Sequence, residues 1–453
     1  MSLALKTALL RRSLLLASVF VSACSTYQPL ALQEGRPADL VVDTASLPFR
    51  PMAAHRFNPD DGLDIVEVAM LAVVNNPDLR LVRDDAAIAH AQSFSAGLLP
   101  DPQLALSSDL SNSGGAGATK AFSYGLSYDI TSLLTHSALH GATVSDAEKT
   151  DLTLLWQEWQ VAAQAQLLFV KVLQGRKQMA VLNDTRQLFA DRYARTRRAL
   201  DRGLLSSDAV TPNLSALQDV DRQLFELKKL QNQTGHDLNA LLGLAPDTVL
   251  LLQDEGDVGV VDAALVQAAL ADIARRRPDL RALQAAYQAQ DQRYRAALLA
   301  QFPALNLGFT RARDSSNVYS SAIGVNMSLP LLNRNRGNIA IEQASRQKAW
   351  DEYQVRVQAA RNDVRRILDE QLLNLAQGAR LDADIQALSS VLTRSDQAFR
   401  AGDTDALAYA TARSGLLAKQ LERIALQQAV LEQRIGLRTV LGIDMTILES
   451  TAP

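Results

Sequence analysis

His136 and His140 are four residues apart, the spacing that sets two imidazoles on one helix face where they could share a metal ion. A stable site needs at least a third ligand, and none is evident nearby. The pair therefore reads as solvated histidines at a strand–helix junction. The run Arg275-Arg276-Arg277 reads as a helix end, with cations near the negative pole of the helix dipole. Trp156 and Trp159 fit packing between helices better than a ligand cage. No Ser-His-Asp order, P-loop, Gly-x-Gly-x-x-Gly turn or zinc motif stands out. The expectation is a protein without catalytic residues, metal or cofactor.

The chain has 453 residues, of which 47% are hydrophobic and 21% charged, so it is neither disordered nor supercharged. A net charge of −3 carries no electrostatic footprint for nucleic acid. Aromatics are 5%, with only 22 glycines and 14 prolines, a balance that suits long packed helices with few tight turns. The single cysteine, Cys24, excludes intrachain disulfides and multi-cysteine metal sites. It follows Lys6, Arg11, Arg12 and the short apolar stretch Leu14 to Val21, in the context Val21-Ser22-Ala23-Cys24. That context resembles the lipobox of bacterial lipoproteins, which implies a cleaved signal over residues 1–23 and lipid on Cys24. Ser25, rather than Asp, follows the cysteine; by resemblance to the sorting rule this favours the outer membrane. No later segment has about 20 consecutive apolar residues, so no transmembrane helix is expected.

The chain repeats itself. Pro77-Asp78-Leu79-Arg80 returns as Pro278-Asp279-Leu280-Arg281, 201 residues later, and the same shift pairs Pro102 with Pro303, Leu104 with Leu305 and Leu106 with Leu307. Gly125 and Gly324, Gly203 and Gly402, and Gly243 and Gly442 pair at 199. The two-residue change falls across the Gly/Ser-rich stretch near 111–117, where a loop between two constant flanks would change length.

Each unit reads as a helix, two strands and two long helices. Pro77 opens a helix that Leu99-Pro100-Asp101-Pro102 stops. Period-2 alternation then sets Leu104, Leu106 and Leu110 on one face, and on the return strand Phe122, Tyr124, Leu126, Tyr128 and Ile130. The second unit repeats it with Leu305, Leu307 and Phe309, then Ile323, Val325, Met327 and Leu329. The opposite faces are small and polar. One apolar and one polar face over about 9–10 residues matches a membrane-crossing strand. In a soluble sandwich the apolar face would instead be core. For a membrane barrel, four strands cannot close, and an open edge in lipid leaves backbone groups unpaired, so several chains would have to contribute; three would give twelve strands. From about Ser137 to Arg202 there is no proline and only Gly141 and Gly175, enough for a rod about 100 Å long. Its partner, about 207–243, shows a seam at 217, 220, 224, 227, 231, 234, 238 and 241. A second rod runs from about Asn338 to Arg400 and returns to Leu441.

Taken together, the lipobox, this duplicated plan, the Pro-Asp-Leu-Arg repeats and Leu329-Pro330-Leu331-Leu332-Asn333-Arg334 resemble the outer-membrane efflux protein family over roughly residues 60–445. These are the TolC-like outer-membrane factors, here of the lipoprotein type common in RND-type pumps. The resemblance implies a mainly α chain with a membrane β-barrel: a homotrimeric channel with four strands per protomer above an α-helical barrel. The expected divisions are 1–23 signal, 24–60 lipidated extension, 61–243 first repeat with its hairpin at 103–130, 244–276 equatorial segment, 277–442 second repeat with its hairpin at 304–330, and 443–453 tail. Residues 25–60, 244–276 and 443–453 would form a girdle around the helices. Lipid would meet Leu104, Leu106, Tyr124, Leu126, Tyr128, Leu305, Leu307, Val325 and Met327.

The resemblance further implies the outer membrane as location, with a periplasmic adaptor and an inner-membrane pump, RND-type, as partners. The tips Gly203, Leu204, Leu205, Gly402 and Asp403 would meet the adaptor. Asp403, Leu407 and Thr411 would line the closed entrance, with Leu407 as an apolar ring; Thr411-Ala412 stands where the family usually has Asp-Ala. Two further departures are Thr131 to His136, where the family shows a Pro-containing turn, and Pro212, which either marks a helix start capped by Thr211 or bends the rod. The expected function is a passive exit duct for small molecules. A channel for type I protein secretion and a non-channel periplasmic coiled coil are the alternatives.

Overall fold

The computed structural model describes residues 27–32, 35, 37–109, 119–253, 258–401 and 406–443. Residues before Ala38 group apart from the rest of the chain, and those described there have no regular structure. Cys24, the hairpin tip at 110–118, Gly402, Asp403 and residues 444–453 lie outside the described set.

From Ala38 onward the order is α1 (Ile65–Asn75), α2 (Pro77–Gly97), β1 (Gln103–Asp109), β2 (Ala121–Asp129), α3 (Ile130–Asp201) and α4 (Ser207–Leu241). The second half repeats it as α5 (Ala263–Ala271), α6 (Pro278–Leu299), β3 (Leu305–Arg313), β4 (Tyr319–Met327), α7 (Arg336–Ala401) and α8 (Ala406–Leu441). The short helix before the first Pro-Asp-Leu-Arg motif was not expected, whereas the helix end at 275–277 in the second unit was, and a four-residue helix, Ile273–Arg276, ends there. The signal in the first unit is a capping box. The Asp64 carboxylate accepts from the Val66 and Glu67 amides while Glu67 Oε2 accepts from Asp64 N at 2.9 Å. The helix hides from a periodicity search because it is apolar on nearly every side: Val68 to Val73 are all fully buried.

The first rod starts earlier than Ser137. Helix α3 begins at Ile130, directly on the end of β2, and runs 72 residues. Asp129 explains the fusion. Its Oδ1 accepts from Thr131 N at 2.9 Å and from Ser132 N at 3.4 Å, an N-cap that leaves no room for a turn. Ile130 therefore belongs to the helix and not to the hairpin. In the second unit the strands stop at Met327, inside the expected 304–330, and the rod starts at Arg336. There Arg334 and Asn335 adopt positive φ, and Asn335 Nδ2 donates to the Ala297 carbonyl at 2.8 Å.

Pro212 neither starts nor caps α4. The helix begins at Ser207, and Thr211 Oγ1 donates back to the Ser207 carbonyl at 3.0 Å. Pro212 lies in the second turn, where the bond it deletes would have gone to Asp208.

Helix α3 is the spine. Its upper part meets α6 through Leu152, Ala282 and Ala285, and its lower part meets α4 through Leu182, Phe189, Val220, Leu224 and Leu227. Every position of the expected α4 seam is buried or half-buried. Midway, a large core joins Leu63, Val68, Leu71, Phe169, Leu173, Leu238 and Leu242, and its counterpart in the second unit joins Val266, Ile273, Leu280, Val357, Val364, Leu437 and Leu441. Gly243 is required beside the first of these. Its φ is +65°, and a Cβ there would lie 2.6 Å from the Asn75 carbonyl oxygen. The segments 38–63 and 244–253 wrap this level, and Leu63 bridges Leu252 in parallel.

Candidate functional site

The four strands form one antiparallel sheet in the order β1-β2-β3-β4, so β1 and β4 are both open edges. The register sorts side chains into rows. Leu104 pairs with Leu126, Leu126 with Phe309 and Phe309 with Ile323; Tyr128 pairs with Leu307, Leu307 with Val325, and Leu305 with Met327. Since paired residues share a face, the apolar residues of all four strands form one continuous apolar face. Leu104, Leu106, Tyr124, Leu126, Leu307, Val325 and Met327 are exposed on it, Tyr128 and Leu305 half-buried, and Ile323 is 84% exposed. The other face carries the row Ala105, Gly125, Thr310 and Ala322, with Gln103, Ser127, Gly308 and Gly324 beside it. Strand β3 runs further than the Leu305–Phe309 alternation. Arg311 and Arg313 continue the apolar face beyond Phe309.

The first helical tip is an abrupt reversal. Gly203 has φ +71°, its amide bonds the Leu200 carbonyl at 2.8 Å and the Leu204 amide bonds Ala199 at 2.8 Å, which satisfies the last carbonyls of α3. The turn leaves Leu204 72% exposed and Leu205 exposed. Of the second tip, α8 is described from Ala406. Leu407 and Thr411, one turn apart, are exposed, whereas Tyr409, Ala410, Leu416 and Leu417 are buried. Arg192 ties the two rods together just above: its Nη2 donates to Asp396 at 2.6 Å, and its guanidinium sits 3.5 Å over the Tyr409 ring. Near the middle of α3, Glu158 is buried against Arg83 at 2.8 Å. Burial raises its carboxyl above the usual value, and Arg83 only partly offsets this.

His136 and His140 face the C-terminal end of α2, with ring centroids 6.0 Å apart. The Gly97 carbonyl accepts from His136 Nε2 at 3.2 Å. Among the described residues no group of three or more His, Cys, Asp or Glu side chains is placed to hold a metal. The arginine run splits. A short helix, Ile273–Arg276, does end in this run, with Arg275 and Arg276 in its last turn and Arg275 paired with Asp272 at 2.5 Å on the surface; Arg277, its C-cap, differs in being buried. It is buried at the start of α6, bonds Asp279 at 2.6 Å, and lies 4.8 Å over Trp156. Trp156 is thus part of the joint between the two units. Its neighbour Trp159 packs edge-on to Phe49 and donates from Nε1 to the Thr439 carbonyl at 3.3 Å.

Residues 269–443 match the family described as outer membrane efflux protein. No curated protein matches the chain. Among solved structures, the outer-membrane channel OprN superposes with a TM-score of 0.73 at 14% identity, covering 89% of this chain and 99% of its own. The Campylobacter jejuni CmeC outer membrane channel gives 0.72 at 16% identity, covering 92% and 95%. The Neisseria gonorrhoeae MtrE outer membrane channel, solved in an open state, gives 0.71 at 17% identity, covering 91% and 98%. Identities this low speak for the fold, and coverage this high extends it to both repeats. Residues 269–443 thus resemble an outer membrane efflux protein domain, and the chain as a whole has the fold of solved outer-membrane channels.

Proposed function

We propose that three copies of this chain form the outer-membrane channel of a tripartite efflux pump, a passive exit duct for small molecules across periplasm and outer membrane. The observation that carries the reading is the four-stranded sheet with one exposed apolar face and two open edges. Such edges are untenable in lipid, where each unpaired backbone group costs several kcal/mol, and closure onto neighbouring copies removes them. Three sheets make a twelve-stranded barrel with the apolar rows outward and the Ala105–Gly125–Thr310–Ala322 face toward water. The rods continue the duct below it. Lipid on Cys24 adds a tether to a protein that its barrel already holds. The tips at Gly203, Leu204 and Leu205, and at Gly402 and Asp403, meet a periplasmic adaptor coupled to an inner-membrane pump of RND type. Leu407, together with Asp403 and Thr411, narrows the entrance.

Two measurements test this. Native mass measurement in mild detergent is expected to give a trimer; a stable monomer contradicts closure. Loss of the chain from its host is expected to raise accumulation of a small exported dye and leave secreted proteins unchanged. The reverse pattern would replace efflux by protein secretion.

A further inference from the structure

We propose that the outward face of the sheet, at its hairpin end, binds the phosphate groups of a phosphorylated glycolipid in the outer leaflet; this rests on the membrane-barrel reading above. On β3 the lipid-facing series changes character. Leu305, Leu307 and Phe309 are followed on the same face by Arg311 and Arg313. At about 3.3 Å per residue, Arg313 stands roughly 25 Å from Leu305, the height of the apolar band of a membrane barrel. The two guanidinium groups therefore lie where hydrocarbon ends. Because β2 runs straight into α3 at Asp129, this end points away from the helices and hence toward the outer leaflet.

The two cations are held for anion binding by aromatic rings. The Arg313 guanidinium lies 4.8 Å over Phe122, and that of Arg311 lies 6.0 Å over Tyr319. Stacking orients both planar guanidinium groups, and the exposed fork of Arg311 presents N–H edges to an oxyanion beside the Arg313 charge. Arg313 Nη2 donates to the Lys120 carbonyl at 2.8 Å, while its Nε is buried without a hydrogen-bond partner among the described residues. Neither arginine is in an ion pair among the described residues. The nearby carboxylates are otherwise engaged. Asp314 Oδ1 accepts the Ser316 and Val318 amides, both at 2.9 Å, and Asp109 lies opposite Ala121 on the other face. Residues 110–118 contain no acidic side chain. A basic, ring-backed rim with no carboxylate on its face, placed at the lipid–water border, fits a lipid phosphate. A phosphorylated glycolipid is the anionic lipid of that leaflet.

The test uses the purified full-length trimer in mild detergent, titrated with bisphosphorylated lipid A, with lipid A stripped of phosphate, and with phosphatidylglycerol. The expected result is lipid A binding that falls by about tenfold or more in Arg311→Gln/Arg313→Gln, and weak binding of both other lipids by either protein. Equal lipid A binding by wild type and variant overturns the proposal, as does equal binding of phosphatidylglycerol. If the double variant fails to trimerise, Arg311→Gln alone is used. In parallel, Phe309→Cys trimers in phosphatidylcholine vesicles are treated with a water-soluble maleimide. Protection there keeps the barrel reading even if the lipid A result is negative; full labelling removes both.

Discussion

Glu158 couples this fold to pH. Its carboxyl, buried behind Arg83, is pushed above its ordinary value of 4.5 mainly by loss of water. The folded chain therefore holds the proton at pH values where the unfolded chain has lost it. Stability contributed by this group is complete below 4.5 and declines as pH rises from there through the raised folded value. Glu158→Gln is expected to flatten that decline in thermal unfolding of the trimer between about pH 4 and 8; an unchanged slope would place the coupling elsewhere. Arg83→Ala leaves the carboxylate buried alone. The cost is expected near 2 kcal/mol in denaturant unfolding, below that of a fully buried pair because Arg83 is 35% exposed. Leu407 acts at the same scale. It is exposed in the first turn of α8, and in the proposed trimer three such leucines around one axis would disfavour wetting. Leu407→Ala is expected to raise single-channel current, and unchanged current would put the constriction on other residues.

At the scale of elements, the sheet makes the sharper prediction. Arginine at Leu126 or Val325, on the apolar face, is expected to cost about 2–4 kcal/mol of folded trimer near the midplane, while arginine at Ser127 or Asn326 costs much less. Refolding yields into lipid that are equal at all four positions would argue against a membrane barrel. The tips are the second case. Leu204→Glu or Leu205→Glu is expected to abolish efflux without lowering the amount of trimer, because these leucines are exposed beyond the Gly203 turn. Retained efflux would move the adaptor contact elsewhere. The elements also show what the residue pattern could carry. Repeats such as Pro77 with Pro278 and Gly243 with Gly442 announced the duplication, because turn and cap positions keep their residue type while packing surfaces drift. Strand alternation revealed both hairpins, since one face had to be apolar. Helix α1 stayed hidden because burial on all sides erases helical periodicity, leaving only the Asp64–Glu67 box as a signal. The start of α3 was misplaced because the Asp129 cap lies within the alternating strand pattern. The run at 275–277 does end a helix, but the burial of Arg277 was not legible, because its partner Trp156 is 121 residues away in sequence.

At the scale of the whole molecule, a single copy leaves surfaces that the proposed trimer would cover. Both sheet edges are open, and Phe225 on α4 and Leu372 and Leu373 on α7 are exposed apolar residues on the rods. Three-fold closure would remove the edges and place the polar sheet face and the rods around one continuous duct. The most direct test is single-channel recording of the purified protein in planar lipid bilayers. A closed trimeric duct predicts discrete, uniform current steps that grow when Leu407 is cut to Ala. Protein that is folded and present in the bilayer yet passes no current, in both wild type and Leu407→Ala, would contradict a channel and return the chain to a structural coiled coil.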